Sequence, residues 1–157
     1  MSAITLLVDD PDWRRTRGLT ARLRRAAEAA LRASGFKGKS SLTVLLASDE
    51  KLRHLNRDFR SKDKPTNVLS FPAAANAEGY RGDIAIAYGV TRKEAEESGK
   101  AFADHASHLV VHGVLHLAGY DHERPGDARV MEPLEVKILK RLGIADPYKI
   151  ADEVMAR

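Results

Sequence analysis

The sequence contains no cysteine, which removes disulfides, thiolate metal sites, iron–sulfur clusters and cysteine nucleophiles together. Any metal must then be held by His, Asp or Glu. Aromatic residues are scarce, at 6% of 157 residues, so base-stacking platforms have little material to draw on. Long apolar runs are missing too: the longest, 109–119, is broken by His112 and His116 and cannot span a bilayer. The apolar residues 4–8 are too few for a signal-peptide core and follow no basic leader, so a cytoplasmic protein without membrane association is expected.

What is present suits one packed unit. A hydrophobic share of 43%, a charged share of 31% and this length predict a single domain over 1–157. The net charge is +4, and its excess is concentrated early: between residues 11 and 40, Arg14, Arg15, Arg17, Arg22, Arg24, Arg25, Arg32, Lys37 and Lys39 face only Asp12 and Glu28. Such a stretch suits a polyanionic partner, and equally a solvated helix face that uses arginine.

Periodicity predicts an α+β fold. Alternation at Ile4, Leu6 and Val8, and again at Leu42, Val44 and Leu46, reads as two strands. Helical spacing of Leu19, Leu23, Ala26, Ala27, Ala30 and Leu31 predicts a basic helix over 13–34, stopped by Gly35. Ser48 or Asp49 caps a second helix with Leu52, Leu55 and Phe59 on its inner face. Residues 68–71 form a short strand ended by Pro72, and Ile84, Ile86 and Tyr88 another. Thr91 with Glu94 three residues on has the form of a capping box opening a helix that ends near Ser98 and Gly99. Residues 102–118 are apolar almost all round and predict the buried central helix, with Gly119 as its stop. A last helix covers 127–142, either kinked or opened by Pro133. The sum is about four strands in one mixed sheet, with the central helix packed on it and other helices around.

The central helix carries His105, His108, His112 and His116, which at 100° per residue occupy one arc of roughly 80°. The spacing between His112 and His116 stacks their rings one turn apart, where both reach one ion. His122 lies just past Gly119, placed for the chain to fold back with a third nitrogen. Three histidines and no protein fourth ligand leave an open position, as in catalytic zinc, where water can be brought to a pKa of about 7. Zinc is the first expectation, and ligand type also admits nickel. His105 and His108 are expected beside the metal or toward the substrate rather than on the ion. The order of ligands follows the extended zinc-peptidase signature, but Gly113 stands where those enzymes have the glutamate that serves as base.

The string from His112 to His122, the run 55–72 (LNRDFRSKDKPTNVLSFP) and Gly82-Asp83-Ile84 together resemble the signatures of the YbeY family of metal-dependent endoribonucleases and rRNA maturation factors. The resemblance implies that His112, His116 and His122 bind zinc and that Arg60 is the functional arginine. A guanidinium there would grip a phosphodiester and stabilise charge on its oxygens. It further implies single-stranded RNA as substrate, 16S rRNA precursors and the ribosome as context, and a small-subunit ribosomal protein and the GTPase Era as partners. Attack by water and attack by the RNA's own 2′-hydroxyl both satisfy these residues. Ser70, Phe71 and His108 are expected to touch substrate, and Phe71, Tyr80 and Tyr120 are candidate stacking rings. The strand 68–71 is read either as a cleft wall or as core. Two features depart from the family pattern: Tyr80-Arg81 before Gly82, and Pro133 in the last helix. Two other functions compete, a zinc peptidase or amidohydrolase using a carboxylate such as Asp121, and a non-enzymatic rRNA-binding assembly factor with a structural metal.

Overall fold

The computed structural model describes residues 3–120 and 125–148, apart from the side chains of 125–128. Strand β1 (Ile4–Val8) leads through a short 3-10 turn (Pro11–Arg14) to helix α1 (Leu19–Ala33). Strand β2 (Ser41–Ala47), helix α2 (Asp49–Arg60), strand β3 (Val68–Pro72) and strand β4 (Tyr80–Ala87) follow. Helices α3 (Tyr88–Glu97), α4 (Phe102–Leu117) and α5 (Pro125–Arg141) complete the described chain. The expected mixed sheet of four strands is present, in the order β1-β2-β4-β3. β1, β2 and β4 run parallel, and β3 lies antiparallel against β4 at the edge.

Strand alternation divides the core in two. On one face, Ile4, Leu42, Val44, Leu46, Ile84 and Ile86 meet the apolar sides of α1, α4 and α5. On the other, Leu69, Ala85 and Ala87 meet Leu52 of α2. Because both faces are covered there, the second halves of β2 (from Val44) and β4 (from Ile84) are continuously apolar, whereas the first halves carry Ser41, Thr43, Arg81 and Asp83. Helix α4, apolar almost all round, is held between the sheet and α1, α3 and α5, as its composition predicts.

Four local expectations need correction. Trp13 does not begin the first helix. The Asp10 carboxylate accepts from the Asp12 amide, Pro11 sits in the first turn, and Gly18 at φ 77° starts α1 afresh. Trp13 is instead fully buried, donates its indole N–H to the Ala47 carbonyl at 2.9 Å and meets Tyr88 edge-on. Phe59 does not line the inner face of α2. It is 68% exposed and packs against Phe71 on the outer side of the sheet. Thr91 does not cap α3, which already begins at Tyr88; its hydroxyl bonds back to the Ala87 carbonyl, while Asp49 of α2 accepts from the Val90 amide. The last helix begins at Pro125 and runs through Pro133, so that proline does not open it. Among the described residues, no helix is long and apolar enough to cross a membrane.

Candidate metal centre

Helix α4 puts its histidine stripe on the floor of a cleft of about 710 Å³, with Val68 and Ser70 of β3 on one wall. Glu94 comes from α3, and Arg60 reaches in from the last turn of α2. A turn after α2 and a close approach of β4 to β3 shape this wall. Ser61 takes a left-handed conformation at φ 57°, turning the chain after Arg60, and buried Asn56 donates to the Lys64 carbonyl across that turn. Gly82 adopts φ 139° where a Cβ would stand 2.3 Å from the Phe71 carbonyl oxygen. Much of both upstream motifs therefore builds the wall rather than the chemistry.

His112 and His116 converge, with Nε2 atoms 3.1 Å apart. Two nitrogens on one tetrahedral zinc, each about 2.0–2.1 Å from it, stand ~3.3 Å apart, so the pair fits such an ion with only a small opening. His122 and Asp121 lie outside the described residues, and among the described residues no group of three His, Cys, Asp or Glu could hold a metal.

Behind the pair stands a residue that no sequence motif marks. Glu135 of α5 is only 1% exposed, and its Oε1 lies 3.3 Å from His112 Nδ1 and its Oε2 2.5 Å from His108 Nε2. The Tyr148 hydroxyl donates to the same Oε2 at 3.1 Å. Burial alone would raise this carboxyl, but the hydrogen bonds and charges of His108 and His112 prevail and hold it down at about 2. The Tyr148 hydroxyl is pushed well above its usual value by burial and by Glu135. Further along the stripe, His105 donates from Nε2 to Glu94 Oε1 at 3.0 Å, and Asn67 donates to both oxygens of that carboxylate. Burial lowers the His105 pKa against the opposing pull of Glu94.

The remaining candidates divide by side of the sheet. Ser70 faces the cleft and donates to the Gly113 carbonyl at 3.1 Å, and Arg60 donates to the Ser70 carbonyl at 3.3 Å. Phe71, one residue on, faces the opposite side, where it shares a shallow apolar groove with Phe59, Leu55 and Leu7. Tyr80 is on that side too, its hydroxyl bonded to Thr43 and Asp83, and Tyr120 packs partly buried against the main core. The one tyrosine among the described cleft residues is Tyr148. In the basic stretch, Arg22 pairs with Asp104 at 2.7 Å and Arg24 donates to the Ile4 carbonyl. Arg60 and Lys100 are the cations lining the cleft itself.

Gly113 settles what can stand beside His112. A Cβ at this position would lie 2.8 Å from Ile84 Cγ2, with two more Ile84 carbons within 3.3 Å. The helix is pressed onto β4 so closely that a glutamate at this position, as in a zinc peptidase, would crowd Ile84.

The model of the family described as Endoribonuclease YbeY matches residues 9–143. This chain belongs to the YbeY family. It is 43% identical to Endoribonuclease YbeY of Maricaulis maris over 152 residues, covering 97% of this chain and 95% of that protein. It is 47% identical to Endoribonuclease YbeY of Rhodopseudomonas palustris, over 95% of this chain and 82% of that one. The solution structure of TM1509 from Thermotoga maritima superposes with a TM-score of 0.63 at 28% identity, covering 88% of each chain. The YbeY match takes in Arg60, the whole histidine stripe and Glu135.

Proposed function

We propose that the protein is a metal-dependent endoribonuclease that cuts single-stranded RNA, with precursors of small-subunit rRNA as its substrates. The observation that carries this reading is the convergence of His112 and His116 on the floor of a cleft whose rim presents Arg60. His122 supplies the third nitrogen, and zinc, or nickel on the same imidazole donors, is the resident ion. When bound, the ion polarises a phosphoryl oxygen and makes water a stronger nucleophile.

The chain's own residues then do three things. Arg60 clamps the phosphodiester through its planar fork and stabilises charge gathering on the non-bridging oxygens. Lys100, also lining the cleft, adds a second cation for the flanking backbone. An unpaired strand would lay its phosphates along Arg60 and Lys100, and with so few aromatic residues the grip is mainly electrostatic. A ribosomal partner on the small subunit, and the GTPase Era, would bring the enzyme to its substrate in the cytoplasm.

The test uses purified protein of measured metal content with single-stranded RNA, the matching duplex and a casein peptide, alongside His116→Ala. Cleavage of the single strand alone, lost in the variant, is the expected result. A wild-type protein that binds zinc and RNA but cuts neither RNA nor peptide would overturn the enzymatic reading.

A further inference from the structure

Four histidines share one stripe of α4, yet only two converge, and the structure offers a reason. An ionised carboxylate only accepts hydrogen bonds. Glu135 is buried, and it faces three polar groups: His112 Nδ1, His108 Nε2 and the Tyr148 hydroxyl. Each of the three must then present a proton to it. His112 therefore carries its proton on Nδ1 and turns the Nε2 lone pair toward His116 Nε2. His108 carries its proton on Nε2, the nitrogen that Glu135 occupies. Its other nitrogen, Nδ1, is buried without a hydrogen-bond partner, where a second proton would be an unsatisfied donor.

We propose that Glu135 is a positioning residue that selects the metal-binding pair from the stripe, fixing His112 as the Nδ1–H tautomer and withholding His108 from the ion. This inference rests on the metal-site reading above and deepens it. One carboxylate thereby imposes opposite tautomers on two histidines a helical turn apart. It also places a buried negative charge directly behind one ligand, raising that imidazole's basicity toward a cation. Tyr148 completes the arrangement by donating to Oε2, which leaves Oε1 for His112. Glutamine at 135 would keep the shape but turn an amide donor toward one of two rings that must themselves donate, so one ring would have to change tautomer or rotate away.

Two measurements test this. In metal-free wild-type protein labelled with nitrogen-15 on histidine, two-bond nitrogen–proton correlation spectra at pH 8 are expected to show His112 as Nδ1–H and His108 as Nε2–H. Competition with a chromogenic chelator is expected to show Glu135→Gln binding zinc about 10–100-fold more weakly than wild type, with the melting temperature of the metal-free variant close to wild type. His112 protonated on Nε2, or a folded Glu135→Gln protein with wild-type zinc affinity, overturns the assignment. If Glu135→Gln does not fold, the wild-type spectra decide alone. If wild-type protein binds no zinc, the metal-site reading fails instead, and the tautomers still judge Glu135 separately.

Discussion

Replacing Gly113 with alanine probes the contact that holds α4 on the sheet. In an open helix this change adds about 1 kcal/mol of stability, because alanine is the better helix former. Here the new methyl would enter a space already held by Ile84, at 2.8 Å from Cγ2 and within 3.3 Å of two further carbons. Ile84 is fully buried in β4, and its branched Cβ leaves little rotamer freedom. Overpacking of this kind costs about 1–3 kcal/mol. Set against that gain, the net expectation is a loss of up to about 2 kcal/mol in metal-free protein, where no bound ion inflates stability. With a urea slope of about 2 kcal/mol per molar, the midpoint falls by up to about one molar. Ile84→Ala alone leaves a cavity and costs about 2–5 kcal/mol. In the double variant the methyl fills part of that cavity, so the loss is smaller than the sum by at least about 1 kcal/mol. A Gly113→Ala protein more stable than wild type by the open-helix gain of about 1 kcal/mol, or a cycle that simply adds, would refute the close approach and with it the crowding that disfavours a glutamate.

The other predictions concern separate parts of the molecule. Arg60→Ala should weaken cleavage of single-stranded RNA by about a hundredfold while leaving the urea midpoint within error, because its hydrogen bond to the Ser70 carbonyl is exposed; equal cleavage rates would remove it from the site. Trp13→Phe should cost about 1–3 kcal/mol, since the buried Ala47 carbonyl loses its indole donor, and an unchanged thermal midpoint would contradict this. His105, facing Glu94, His108 and Lys100, has a pKa lowered by burial, so the unfolded chain binds its proton first. The stability it contributes is complete above about pH 6.5 and is lost as pH falls below that. Urea midpoints at pH 7.5 and 5.5 should therefore differ more in wild type than in His105→Gln, and equal differences would sink the argument.

The frame of the site was legible because it is written in local periodicity. Alternation marked three of the four strands, Pro72 closed the short strand at 68–71, and an interval of four residues on an apolar helix marked His112 and His116. What escaped depends on contacts between distant segments. Glu135 is one carboxylate on α5, and only its place among Met131, Ile138 and Leu139, three buried neighbours at helical spacing, sets it apart. That pattern, an acid on the apolar face of a helix, was a usable signal. Thr91 and Glu94 had the spacing of a capping box, yet tertiary partners claimed both: Glu94 is drawn to His105 and Asn67, and the cap falls to Asp49 from another helix. Phe59 follows the apolar rhythm of α2 but lies on its last turn, beyond the strip that the sheet covers. The side on which Phe71 falls is set by strand register, since β3 pairs Phe71 with Asp83 and Ser70 with Ile84.

Chain order gives the position of Glu135 and Tyr148 a consequence for synthesis. The wall of the cleft, the arginine and all four stripe histidines precede residue 117, whereas the carboxylate and the tyrosine that meet them come from α5 and beyond. A nascent chain halted before α5 carries every helical imidazole but lacks the acceptor that His108 and His112 share. Emerging amino terminus first, the polypeptide acquires its cleft wall and Arg60 before the carboxylate that meets His108 and His112. Arrangement of the stripe thus waits for α5 and Tyr148 to be made, and a chain that stops short of them holds these imidazoles without their shared acceptor.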